Sequence, residues 1–214
     1  MKKILALLLA AALTLALAAC GGSGTNPEPP AGSGPSTLVY GSGDYTRINP
    51  AMDEHCEINA LLFNGLTARD GNNQVGPGLA ESWEYDEASC TYTFHIRSGV
   101  QWHDGQPLTA GDVKFTIEAI MDPENGAENA PNYEDVEEIT VIDEQTVSFR
   151  LSAPNAAFLD YMTMAVLPEH LLEGEDMQSS DFFRAPVGTG PYKLAEWDVG
   201  QAIVLEKNED YYKG

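Results

Sequence analysis

Residues 91–113 read Thr91-Tyr-Thr-Phe-His-Ile-Arg-Ser-Gly-Val100-Gln-Trp-His-Asp-Gly-Gln-Pro-Leu-Thr-Ala110-Gly-Asp-Val113. The first part alternates, with Tyr92, Phe94 and Ile96 on one side and Thr91, Thr93 and His95 on the other, the period of a half-buried strand. Asp104-Gly105 marks a turn. Thr109 then stands as a helix N-cap with Asp112 three residues on, a capping box with a shorter acid, and Val113, Ile117 and Ile120 share one helical face. Strand, turn and capped helix in direct succession set the style of the chain.

The same grammar continues on both sides. Glu81–Tyr85 alternates and is separated from Thr91–Arg97 by the polar Asp86–Ser89, which predicts a hairpin whose apolar members are Trp83, Tyr85, Tyr92, Phe94 and Ile96. Ile139–Ile142 and Thr146–Leu151 predict a second hairpin, and Tyr192–Trp197 with Ala202–Glu206 a third. Glu134, Asp135, Glu137 and Glu138 form a solvated face around a buried Val136. Leu38–Tyr40 reads as a short strand, His55–Phe63 as a helix stopped by Asn64-Gly65, and Arg69–Asn73 as a turn. Asn155 is placed to cap a short helix carrying Phe158, Leu159 and Met162, and Pro168–Leu172 reads as another. Hairpins interleaved with helices, without repeated βαβ units, predict an α+β chain.

The amino end carries an export pattern: Met1-Lys2-Lys3, an apolar run from Ile4 to Ala19, then Leu17-Ala18-Ala19-Cys20. Residues 1–19 read as a signal peptide and 20–37, rich in Gly, Ser and Pro, as a flexible tether. The ending resembles the lipobox of bacterial lipoproteins, which implies cleavage before Cys20, a lipid on its sulfur, and a membrane-anchored position outside the cytoplasm. The net charge of −22 becomes −24 once Lys2 and Lys3 leave with the leader. So acidic a surface argues against nucleic acid, which needs clustered Lys and Arg, and against lying flat on an anionic membrane. With Cys20 lipidated, Cys56 and Cys90 are left as a candidate disulfide or as two separate thiols.

Catalytic and metal signatures are absent from the sequence. It has no Gly-x-Ser-x-Gly elbow and no His-Glu-x-x-His helix, and His55, His95, His103 and His170 lack zinc-like spacing. No cofactor is expected. Gly188-Thr-Gly-Pro-Tyr-Lys193 lacks the spacing of a phosphate loop, and Pro191 removes a backbone donor. Gly188 and Gly190 read as positions whose backbone shape a Cβ would forbid. Trp83, Trp102 and Trp197 read as packing residues.

Seven segments occur in a fixed order: Leu62-Phe-Asn-Gly-Leu-Thr67; Pro77-Gly-Leu-Ala-Glu-Ser-Trp83; Tyr92–Val100; Trp102-His-Asp-Gly105; Leu108-Thr-Ala-Gly-Asp-Val113; Val187-Gly-Thr-Gly-Pro-Tyr192; and Leu205-Glu-Lys-Asn208. Together they resemble family 5 of the bacterial extracellular solute-binding proteins, the peptide, oligopeptide and nickel receptors of ABC importers. The resemblance implies a type II periplasmic-binding-protein-like fold with an extra domain on the first lobe. Residues 38–50 would open lobe I, 51–170 form the extra domain, and 171–214 return to lobe I, with lobe II absent from this chain. It implies a non-enzymatic monomer that captures oligopeptides or dipeptides and delivers them to ABC permease subunits with their ATPase. A nickel, haem or oligosaccharide receptor of the same fold and a peptide-sensing signalling receptor are the alternatives. By the same resemblance Met52, Asp53, Glu54 and His55, after Asn49-Pro50, face ligand, joined by Asn132, Tyr133 and Tyr161. Glu54 is suited to a peptide ammonium, and equally to a solvated place beside a helix start.

Overall fold

The computed structural model describes residues 37–43, 45–52 and 57–214. The signal, the lipid-attachment candidate Cys20, most of the tether, and Asp53, Glu54, His55 and Cys56 lie outside the described residues. Leu38–Tyr40, expected as a strand, is exposed non-strand chain, with Leu38 and Val39 each 89% accessible. Residues 43–214 form one compact unit.

The centre of that unit is a four-stranded antiparallel sheet in the order β3-β4-β6-β5, built from β3 (Ala80–Asp86), β4 (Thr91–Ile96), β5 (Val136–Asp143) and β6 (Thr146–Leu151). The alternation in residues 91–96 places Tyr92, Phe94 and Ile96 inside. It pairs Phe94 with Val147 and Tyr92 with Phe149, both also inward. Helix α2 (Ala110–Met121) packs against β5 and β6 through Val113, Ile117 and Ile120. Its predicted capping box forms: the Asp112 carboxylate accepts from the Thr109 N–H at 2.8 Å, and the Thr109 hydroxyl accepts from the Gly111 N–H at 3.2 Å. Asp112 also accepts from the Glu169 N–H at 2.9 Å, which seats the short helix α4 (Glu169–Leu172) on α2. Pro168 lies just before the first helical residue of α4.

Two small hairpins complete the unit. Thr67–Arg69 (β1) pairs with Val75–Pro77 (β2) around the expected turn, where the Asp70 carboxylate accepts from the Asn72 and Gln74 N–H groups at 2.8 Å each. Tyr192–Asp198 (β7) pairs with Ala202–Lys207 (β8). Strand β5 begins three residues earlier than the alternation implied, and Val136 is buried amid its acidic neighbours as expected. The helix read over 55–63 is a single turn, α1 (Asn59–Leu62), with Leu61 exposed and Phe63 already extended. Cys90 holds a left-handed φ of 53° at the β3–β4 turn; its pairing with Cys56 stays an expectation because Cys56 is outside the described residues.

An aromatic cluster anchors the remaining helix, α3 (Phe158–Tyr161). Phe158 is buried with its ring 5.6 Å from Phe149 and 5.0 Å from Tyr92, and Phe149 meets Phe94 edge-on at 5.8 Å. The N-cap position falls on Ala157 and has no side-chain cap, so the cap expected from Asn155 is not made; Asn155 instead closes the turn before the helix, its side chain accepting from the Ala157 N–H at 3.0 Å.

Candidate functional site

A cavity of about 450 Å³ opens between α1, α3 and the 3₁₀ turn Ala130–Tyr133. Pro50, Glu57, Asn59, Phe63, Asn64, Asn132, Tyr133, Asp160, Tyr161 and Met164 are among its lining residues. Sequence reading placed Asn132, Tyr133 and Tyr161 at a ligand surface, and the structure brings these three together. Pro50 and Glu57, which flank the undescribed residues 53–56, lie on the same cavity.

Each wall is fixed by contacts between distant parts of the chain. Tyr133 is buried at 1% exposure, and burial pushes its phenol well above the usual range. Its hydroxyl donates to the Tyr161 carbonyl at 2.8 Å, so Tyr133 shapes the wall and holds Tyr161 in place. Helix α3 is docked by the Thr67 hydroxyl donating to the Leu159 carbonyl at 2.7 Å, by the Thr67 N–H donating to the Met162 carbonyl at 3.1 Å, and by an Arg69–Asp160 ion pair. The Asn64 carbonyl accepts from the Val166 N–H at 2.9 Å, joining the α1 wall to the α3 wall.

Met52 does not line the cavity. It is buried in the apolar core at 3% exposure, because Asn49, itself fully buried, accepts from the Ala51 and Met52 N–H groups at 3.3 Å each and so turns the chain inward. The Asn49 amide also donates to the Met177 carbonyl at 2.8 Å. The Asn49-Pro50 turn is thereby locked from inside just before residues 53–56.

Behind α1 stands a second lock. The Gly188 N–H donates to His103 Nδ1 at 3.1 Å, which leaves Nε2 as the protonated nitrogen, donating to the Gly190 carbonyl at 3.1 Å. His103 is therefore a neutral imidazole of defined tautomer, and burial lowers its pKa. The Gly190 N–H donates to the Leu62 carbonyl at 2.9 Å. A Cβ on Gly188 would stand 1.8 Å from the Leu62 oxygen, and one on Gly190 2.3 Å from the Leu61 oxygen. Neither glycine has a left-handed φ, so close backbone approach, rather than backbone shape, is what excludes a side chain here.

Sequence reading missed Asn59, Asn64 and Asp160 as lining residues. Asn64 stood in view in the Leu62–Thr67 segment but was read as a helix stop, and Asp160 adjoins Tyr161. Trp102 is 2% exposed, and Trp83 and Trp197 pack against the core, consistent with packing roles. Among the described residues no cluster of three or more His, Cys, Asp or Glu side chains is placed to hold a metal, and no helix is long and apolar enough to cross a membrane.

Contacts between segments 28 to 128 residues apart frame this open cavity on an α+β unit. The fold is part of a type II periplasmic-binding-protein-like architecture. The model of the bacterial extracellular solute-binding proteins, family 5 Middle, matches residues 74–214, and the chain belongs to that family. Family 5 members are extracytoplasmic binding receptors and not enzymes. The oligopeptide-binding protein AppA of Bacillus subtilis is 33% identical over 217 residues, covering 94% of this chain and 40% of AppA. The solved structure of AppA with a nonapeptide matches with a TM-score of 0.76 at 32% identity, over 80% of this chain and 36% of that one. NikZ of Campylobacter jejuni in complex with Ni(L-His) matches with a TM-score of 0.76 at 38% identity, over 79% of this chain and 35% of that one. The chain thus spans at most about two-fifths of the length of these relatives.

Proposed function

We propose that this chain supplies one wall of the ligand cleft of a lipid-anchored receptor that captures oligopeptides or dipeptides for an ABC importer. The observation that carries the reading is the cavity itself: three residues picked from sequence, Asn132, Tyr133 and Tyr161, line it together with Pro50 and Glu57 on either side of residues 53–56. Similarity to AppA, whose solved complex holds a nonapeptide, supports the ligand class. A second lobe would close over the peptide, with no covalent chemistry, and a monomer would deliver it to the permease. Asp53, Glu54 and His55 would face the ligand beside that cavity. The lipobox-like Leu17-Ala18-Ala19-Cys20 supports an anchor through Cys20.

Calorimetry of the full-length protein with dipeptides and longer peptides tests the ligand. Saturable binding, weakened about tenfold by Tyr161→Ala, is the expected result, and silence across peptides overturns it. Similarity to NikZ favours one second reading, a nickel chelate as ligand, which heat from Ni²⁺ with L-histidine and none from peptides would establish. Mass spectrometry of membrane-fraction protein tests the anchor: the amino end should be a diacylglycerol-modified Cys20.

A further inference from the structure

Among the described residues three asparagines are more than nine-tenths buried: Asn49, Asn129 and Asn208. Asn49 uses both ends of its amide, donating to the Met177 carbonyl and accepting from the Ala51 and Met52 N–H groups. Asn208 does the same, donating to the Gly190 carbonyl at 3.0 Å and accepting from the Asp210 N–H at 3.2 Å. Asn129 does not. Its amide nitrogen faces the Met164 sulfur at 3.5 Å, a weak acceptor, and its Oδ1 has no partner although the residue is only 3% exposed. A buried oxygen in this state lacks the hydrogen bond that water gives it in the unfolded chain.

The fold does not need this amide. Asn129 stands at the head of the 3₁₀ turn Ala130–Tyr133, but its side chain caps nothing. The turn is held by backbone, the Asn132 N–H donating to the Asn129 carbonyl at 3.0 Å, and by the Tyr133 hydroxyl on Tyr161. What the amide does have is a neighbour on the cavity. Met164 is one of the lining residues, and the Asn129 side chain lies against its sulfur. A methionine side chain is unbranched and flexible, and Met164 is half-buried, so a ligand group can displace it. Behind it waits a neutral acceptor with no donor of its own.

Resting on the peptide-binding reading above, we infer that Asn129 is a specificity-determining residue of this cavity: its Oδ1 accepts from a hydroxyl or amide donor on a ligand side chain that has moved Met164 aside. A charged ammonium would lose more hydration at so buried a place than one neutral oxygen returns, so a neutral donor is the better fit. An apolar side chain of the same shape leaves the oxygen as it was.

The test is calorimetry of the full-length protein with pairs of tripeptides that differ only by threonine for valine: Thr-Ala-Ala against Val-Ala-Ala, and likewise at the second and third positions. The two side chains are close in shape, and only threonine donates. At one position the threonine peptide should bind about fivefold tighter, the size of one net hydrogen bond. Asn129→Leu should abolish that preference while keeping the affinity for the valine peptide, and Met164→Ala, which uncovers the amide, should widen it; circular dichroism checks that both variants are folded, and the comparison in the unaltered protein needs neither. Equal binding within all three pairs overturns the role of Asn129 and leaves the peptide reading standing. A preference that survives in Asn129→Leu overturns it as well, since the acceptor then lies elsewhere. A preference that Met164→Ala does not widen overturns the part given to Met164. Absence of binding by every peptide overturns both readings.

Discussion

The hydroxyl of Tyr133 donates a 2.8 Å hydrogen bond to the backbone carbonyl of Tyr161, 28 residues further on. A buried side chain from the 3₁₀ turn thus sets the position of the residue that faces the cavity. Tyr133→Phe keeps the ring and removes the bond. The variant should lose about 1 kcal/mol of stability in urea titration and bind peptide several-fold more weakly, because Tyr161 is no longer held. Unchanged affinity would show that the bond does not position the site.

Gly188 has no room for a methyl group. Its Cβ would overlap the Leu62 carbonyl oxygen, which belongs to backbone and cannot rotate away. Gly188→Ala should therefore cost at the upper end of about 1–3 kcal/mol by chemical denaturation. Gly76→Ala is the contrast, since an added Cβ there meets nothing within 4 Å, and it should change stability by less than about 0.5 kcal/mol.

His103 gives stability a pH dependence of known sign. The folded state holds the ring neutral between Gly188 and Gly190, and burial lowers its pKa from 6.5. Above pH 6.5 both states are neutral and the contribution is flat. As pH falls below 6.5 the unfolded chain takes up the proton first, so stability is lost on acidification. Lys193, whose ammonium donates to the His103 carbonyl at 3.3 Å, pushes in the same direction, while Asp104 opposes it. The difference in unfolding free energy between the protein and His103→Gln should shrink between pH 7 and pH 5; a constant difference would mean that the ring does not titrate in that window.

Asp112 serves two helices at once. Asp112→Ala strands the N–H groups of Thr109 and Glu169, and Asp112 is 4% exposed, so water cannot replace the carboxylate. The expected loss is about 2 kcal/mol, against about 1 kcal/mol for Thr109→Ala, which removes only the other half of the box. Thermal melts of the two variants should rank them in that order.

What could be read from sequence follows the range of the force involved. The 81–97 hairpin, the Thr109–Asp112 cap and the buried stripe Val113, Ile117 and Ile120 are set by neighbours a few residues apart, and period and capping display them directly. Tyr161, Tyr133 and Asn132 came from family resemblance, and the cavity unites them. The inward turn of Met52 was hidden because it depends on Asn49 reaching the carbonyl of Met177. The role of His103 was hidden likewise: its turn was seen, but its partners lie 85 and 87 residues away. Gly188 and Gly190 were identified as necessary for the wrong reason, since crowding against a distant carbonyl leaves no trace in local sequence.

The bond from the Gly190 N–H to the Leu62 carbonyl has a kinetic consequence. The α1 wall cannot be finished until a stretch more than a hundred residues downstream has arrived, and closing so long a loop costs entropy before any contact repays it. The 81–97 hairpin and α2 are free to form early from nearby residues, whereas the pocket-forming layer must assemble last.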